Sequence, residues 1–326
     1  MKVNYQNNRD TNFKGFYNNK ALKKGLEFAA NNGTLFAATT SLTLSTIRPI
    51  TVLSTPDTDK TTKNAICAKS ITSTITGYLI AVACSLPVAN AIKKIDNNPE
   101  KYLNKDTIKT LKETGRTLKE SKPYSMATQL FKLGLGCLIA APKAMLTALG
   151  TPYILDLFNK NNNDYKLATE KPNSLIFKGK DNLAKGIGKN LNNRNLQKFV
   201  NKNKDSNFPL HVIAATDTMA TGAFIHQTKK SKKLKNEEKK SLIYNSIIST
   251  SLSIASTYII DNLTRKQSDK FIEKYKKINF NDPNLSKQLE GIKIAKPILI
   301  AGCVYYIAIP LISTFLAGKI KLQKEN

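Results

Sequence analysis

The sequence has no tryptophan, only two histidines and four cysteines, and 23 acidic against 51 basic residues in 326. Two histidines exclude a His-rich metal site, and a mixed site has only His211 and His226 to draw on. Cys67, Cys84, Cys137 and Cys303 show no CxxC spacing, and three of them lie inside apolar runs where Cys acts as a small hydrophobe, so neither a disulfide framework nor a zinc site is expected. No GxSxG, HExxH or dinucleotide fingerprint is present. Gly186-Ile-Gly188-Lys189-Asn190 has neither the earlier Gly nor the Ser or Thr that a phosphate loop needs. The catalytic, cofactor and metal inventories are therefore empty, and the expectation leans away from an enzyme.

Charge is the second imbalance. The formal net charge is +28, but it comes from 46 Lys and only 5 Arg alongside abundant Asn, residues that share A/T-rich codons. Arg is the residue of bidentate base recognition, so sequence-specific nucleic-acid binding is not expected. A nonspecific pull toward anionic lipid headgroups remains. The first residues, MKVNYQNNRDTNFKGFYNN, contain no 7–15-residue apolar region, and no cleavable signal peptide is expected.

Against this polar background stand uncharged windows at 28–47, 70–92, 241–260 and 297–318. About 20 apolar residues cross a bilayer. The window 297–318 is the most apolar, with Lys293, Lys296, Lys319 and Lys321 placed to anchor in headgroups, and 70–92 follows with Lys93-Lys94 at its end. In 241–260, Ser246, Ser249, Thr250, Ser253 and Thr257 recur at helical spacing opposite an apolar face, which suits close helix packing or a polar path. The window 28–47 is weakly apolar, and two more elements carry internal charge: 123–155 with Lys132 and Lys143, and 209–228 with Asp217. A mean hydropathy of −0.31 and a hydrophobic content of 41% are low for a compact polytopic protein, but long polar loops dilute both.

Short matches recur in order. Ala37-Ala38-Thr39 resembles Ala214-Ala215-Thr216, Ser70-Ile71 resembles Ser246-Ile247, Lys101-Tyr102 resembles Lys274-Tyr275, and Lys122-Pro123 resembles Lys296-Pro297. The spacing predicts a duplicated three-helix unit (3+3), with a polar tail at 1–27, a first repeat at 28–158, a basic Asn/Lys-rich connector at 159–208 and a second repeat at 209–326. Three spans per unit predict copies inverted across the bilayer. The loop charges do not follow such a scheme, since the two sides would hold 25 and 24 Lys+Arg. The connectors predict basic amphipathic helices over 104–121 and 182–200, the former with Ile108, Leu111 and Leu118 on one face and the latter with Leu183, Ile187, Leu191 and Phe199.

The sequence therefore predicts an all-α, multi-pass membrane protein acting as a scaffold or small transporter. The alternatives are a soluble all-α interaction protein with buried helices and a membrane enzyme using Asp217. The candidate polar site is Asp217 with His211 and the potential partners Lys132 and Lys143, because a carboxylate inside an apolar span must be protonated, paired or wet.

Overall fold

The protein is all-helical, and the computed structural model describes residues 15, 17–31, 33–114, 117–159 and 180–323. The side chains of 33–35, 37, 38, 81, 120, 159, 180, 261–270, 322 and 323 lie outside the description, as do all of residues 1–14, 16, 32, 115, 116, 160–179 and 324–326. Most of the 1–27 tail, Asn32 and Arg116, and the greater part of the 159–180 stretch of the connector therefore fall outside the described residues. Ala37-Ala38 of the repeat are described by backbone alone.

In chain order the helices are α1 Lys20–Asn31, α2 Gly33–Leu53, α3 Lys60–Ile80, α4 Leu86–Asn97, α5 Pro99–Tyr102, α6 Lys105–Leu111, α7 Lys122–Asn159, α8 Lys180–Leu191, α9 Arg194–Asn203, α10 Phe208–Lys230, α11 Asn236–Ile278, α12 Leu285–Cys303 and α13 Ile309–Gln323. A π-helical turn at Ala81–Ser85 links α3 to α4, and another at Val304–Ala308 links α12 to α13, so each pair forms one long rod. Hydroxyl-rich windows stay helical because their side chains bond the carbonyl one turn back. Thr43 donates to Thr39, Thr74 to Ser70, Thr76 to Thr72 and Ser246 to Leu242.

Two compact units divide the chain. The first comprises residues 1–54 and 251–312. Its core joins Tyr17, Leu26 and Ala29 to Tyr275, Ile292 and Ala295. Around it Gln288 donates to Glu27 Oε1 at 2.9 Å, Tyr275 donates to Gln288 Oε1 at 2.8 Å, and Lys23 pairs with Asp282 at 2.9 Å. Gly291 of α12 lies so close to α1 that any Cβ would run into the Leu26 carbonyl, and a Cβ at Gly302 would run into Leu44 of α2. The successive contacts at 27, 26 and 44 with 288, 291 and 302 make α12 parallel to α1 and α2.

The second unit comprises residues 55–250 and 313–326 and holds two cores. One, small-residue in character, gathers Ala65, Ala68, Ala148, Leu155, Phe224, Leu234 and Leu242 from α3, α7, α10, the following turn and α11. Helices α3 and α7 are antiparallel, with Thr76 bonded to Thr147 at 3.1 Å and Gly150 facing the Thr72 methyl. Helix α10 runs parallel to α7: Lys122 pairs with Asp205, Cys137 Sγ meets Thr216 Oγ1 at 2.8 Å, and Lys233, just past α10, sits 3.9 Å over the Tyr153 ring.

The other core packs α4–α6 against α8 and α9 through Ile92, Ile95, Leu111, Leu118, Ile187, Leu191 and Val200. Here the sequence expectation needs correction. Residues 104–121 form α6 and a 3₁₀ turn, Leu118–Glu120, and 182–200 breaks in two because Asn193 caps α9 by accepting from the Asn195 and Leu196 amides. Gly186 and Gly188 lie inside α8, and Gly188 leaves room for the Tyr102 carbonyl. Leu183 and Phe199 stay exposed while Ile187 and Leu191 are buried, so most of the apolar face is spent on the protein itself.

Inversion is also overturned within the second unit. Thr62 bonds Ser241 at 2.8 Å and Lys69 bonds Asn245 and Ser246 at 3.3 and 2.7 Å, so α3 and the start of α11, the matched middle elements, run in the same direction. An inverted pair would run oppositely.

The Gly291 contact makes a prediction. Gly291→Ala should destabilise by about 2 kcal/mol, since a methyl forced against backbone cannot be relieved by a rotamer change. Gly222→Ala, on an open face of α10, should be neutral or stabilise by up to about 1 kcal/mol. Chemical denaturation of the two variants checks this, and equal effects would contradict the packing of α1 on α12.

Candidate functional site

Asp217 sits half-buried on α10, and the charge acting on it is Lys143 of α7. Lys143 is also half-buried, and its ammonium packs beside Gly77 of α3, where a Cβ would stand 3.2 Å from Nζ. Cys137 and Thr216 pair directly before Asp217, so the parallel register of α7 and α10 leaves Lys143 about a turn and a half further along α7, within reach of the Asp217 charge. Lys132 lies exposed about three turns back on α7. His211 and His226 are exposed on α10. Among the described residues no three His, Cys, Asp or Glu come together as a metal shell.

A second polar cluster escaped the sequence reading. It runs between α3, α11 and α13 of the second unit. Asn245 donates to Ser313 Oγ at 3.0 Å and Ser249 donates to the same oxygen at 2.9 Å. Lys69 reaches Asn245 and Ser246 while its ammonium sits 4.8 Å over the Phe224 ring. At the end of the seam Lys321, whose side chain is 6% exposed, lies 3.4 Å from Asp59 and 3.5 Å from Glu237. Lys321 is thus an interior tie and not a headgroup anchor, because the starts of α3 and α11 close over it. Asp59 Oδ2, Thr228 Oγ1 and Thr314 Oγ1 are buried without a hydrogen-bond partner. The hydroxyl spacing in 241–260 signalled this face. Lys69 was hidden because it stands one residue before an uncharged window.

In the first unit, Arg48 of α2 has its Nε buried without a partner. It too lies one residue beyond a charge-free window. An open cleft of about 580 Å³ between α6 and α9 is lined by Lys109, Arg194 and Lys198 with Asp106. It offers positive charge to solvent without a buried polar group at its floor other than Gln197, which donates to Thr107 and the Leu191 carbonyl.

Electrostatics outside the apolar rods are dominated by single pairs. Burial raises the Asp59 pKa, but hydrogen bonds from the Thr62 hydroxyl and amide and the charge of Lys321 outweigh it and hold the carboxyl below its usual range. Lys94 and Lys122 do the same for the exposed Asp181 and Asp205.

Comparison with family models, with curated proteins and with solved structures returned no match. The arrangement must therefore be read from its own chemistry, which supplies a buried ammonium at Lys321, half-buried ones at Lys69 and Lys143, hydroxyls and a carboxylate, with no metal cage among the described residues.

Two predictions arise here. A carboxyl whose pKa is depressed on folding stabilises above its unfolded value of about 4 and loses that contribution as pH falls through the folded value. Asp59→Asn, which keeps the helix-capping acceptor, should cost about 0.5–1 kcal/mol at pH 7 and flatten the decline of thermal stability between about pH 5 and 3. A profile as steep as that of the parent protein would refute the Lys321 tie. The second compares Asp217→Asn with Asp57→Asn. Asp57 holds a left-handed backbone at φ 45°, which Asn tolerates, so its change should stay within about 0.5 kcal/mol. Burial of the Asp217 carboxylate outweighs the Lys143 charge that offsets it, so Asp217→Asn should be neutral or stabilise by up to about 1 kcal/mol, and should stabilise more in a Lys143→Met background, measured as melting temperatures of all four combinations.

Proposed function

We propose that the chain is a non-enzymatic multi-pass membrane protein, a scaffold or small-transporter-like bundle in contact with anionic headgroups. The observation that carries this reading is exposure. The rods Lys60–Asn97, Lys122–Phe158 and Leu285–Lys321 are long and apolar enough to cross a bilayer, yet only 12%, 22% and 28% of their most apolar windows is buried. Leu138 is 77% exposed, and Leu79, Tyr153 and Leu299 also face outward. A bundle of this size in water would not leave such surface uncovered, whereas hydrocarbon is a suitable solvent for it. The half-buried Lys69, the buried Lys321 and the charges of Asp217 and Lys143 then form the polar interior, of the kind that marks a transport path or a specificity device. The Lys-rich surface of α6, α8 and α9 supplies headgroup contacts. The same reading takes 28–158 and 209–326 as duplicated units: α2 and α10 have 21 and 23 residues, and each is followed by a tight turn and a long rod.

A second reading, a soluble helical interaction protein, is favoured by the parallel register of α7 and α10. Asp181, at the start of α8, bonds Lys94, and Asp205 bonds Lys122, so the chain re-enters at the end of α7 opposite to Asn159. The 38 residues of α7 measure about 55 Å. Residues 160–179, with Asp164, Lys166, Glu170 and Lys171, must join those two ends, and a polar stretch can do so across a bilayer only if protein shields it from lipid.

Fractionation separates the readings. The membrane reading expects the protein in the pellet after alkaline carbonate washing and its release by detergent alone. Recovery in the carbonate or salt supernatant as a monodisperse species would overturn it and leave the soluble reading.

A further inference from the structure

We propose that the two three-helix units are interlocked by exchange of their third helices, each unit's third helix being packed on the first helix of the other, so that the partner this surface fits is a second copy of the same unit. The inference rests on the duplication taken above and deepens it. The exchange is visible separately in each compact unit. In the second, α7, the third helix of the first copy, lies parallel to α10 of the second copy through Cys137–Thr216 and, just past α10, Tyr153–Lys233. In the first, α12, opening the third rod of the second copy, packs on α2 of the first copy through Gly302–Leu44.

Register makes the two packings versions of one another. Lys122 and Leu285, the starts of the third rods, are 163 positions apart, and their ends Asn159 and Gln323 are 164 apart. The first and middle helices are offset by 177 and 176 in the matches at Ala37 and Ser70. Carried by these offsets, the Thr72–Gly150 contact falls at 248 and 313, and Asn245 and Ser249, which flank 248 on one turn, both bond Ser313. Cys137–Thr216 falls at 300 and 39, within about a turn and a half of Gly302–Leu44. Two contacts between different helix pairs therefore agree on one displacement of the third rod. The Lys122-Pro123 and Lys296-Pro297 match, spaced by 174, is off this register by eleven residues and is a coincidence of composition.

The test uses the full chain with a protease site placed within 160–179 and two cysteine pairs. One is Thr216→Cys with the native Cys137, in a background of Cys67→Ser, Cys84→Ser and Cys303→Ser. The other is Leu44→Cys with Gly302→Cys, with all four native cysteines changed to Ser. Exchange expects both pairs to oxidise within one molecule and, after cleavage, to hold the two fragments together on a nonreducing gel. An uncut, cysteine-free parent with an unchanged melting profile controls for folding of the background. If the Cys137 pair forms and the Leu44 pair does not in a folded protein, the two packings are unrelated: the exchange fails along with the duplication, while the contact of α7 with α10 stands. If neither forms and the cleaved fragments separate in native conditions, the exchange is overturned on its own.

Discussion

Helix α10 lies beside α7 in the same direction and in constant step, Thr216 on Cys137 and Lys233 on Tyr153, and much of the second unit depends on that pairing. It leaves Lys143 within reach of the Asp217 charge. It puts Lys233 on the Tyr153 face. It also places α9, and with it α8, at the start of α7, where they complete a core with α4–α6 that neither group could close alone. Parallel neighbours cannot be joined by a tight turn, and α8 and α9 lie between α7 and α10 in the chain.

Small residues and hydroxyls, more than large hydrophobes, set the distances between rods. Gly150 receives Thr72, Gly291 receives the Leu26 backbone, and Ala65, Ala68 and Ala148 occupy the centre of a core in which Phe224 is the only aromatic ring. Such packing draws on dispersion and short interhelical hydrogen bonds, and these keep their strength where there is no water to expel. The large apolar side chains are left to face outward. The polar seam of Lys69, Asn245, Ser249 and Ser313 runs through the interior instead. Partly desolvating the Lys69 ammonium costs free energy that neutral amide and hydroxyl partners recover only in part, so the seam specifies which faces meet more than it adds to stability.

How far the sequence spoke depended on the range of each signal. All-helical architecture and the position of the apolar rods were legible, because 3.6-residue periodicity and charge-free length are local properties. Residues 70–92 lie in α3–α4 and 297–318 in α12–α13. Nothing in the spacing separated Lys143, whose charge acts on Asp217, from Lys132, which lies exposed. The relative direction of α3 and α11 was not legible, since loop charge was evenly spread. Lys321 was read as an anchor, and Lys69 and Arg48 drew no reading, because a charge at the edge of an apolar window looks the same whether it points to water or, as Lys321 does, closes over a carboxylate contributed by a turn some 260 residues earlier. Asn193, a single capping side chain, was enough to divide a helix that apolar periodicity alone made continuous.

The packing of α1 and α2 on α12 has a consequence for biosynthesis. Leu26 and Leu44 emerge from the ribosome early, and the glycines that receive them, Gly291 and Gly302, follow about 260 residues later. At 5–20 residues per second the delay is roughly 10–50 s, far longer than helix formation or hydrophobic collapse requires. Helix α2, with its uncharged first fifteen residues, must spend that interval without its eventual cover. The first unit therefore closes only after α12 has been made, and a chain truncated before Leu285 would carry α1 and α2 as a permanently open edge, exposed to proteases, chaperones or other nascent chains.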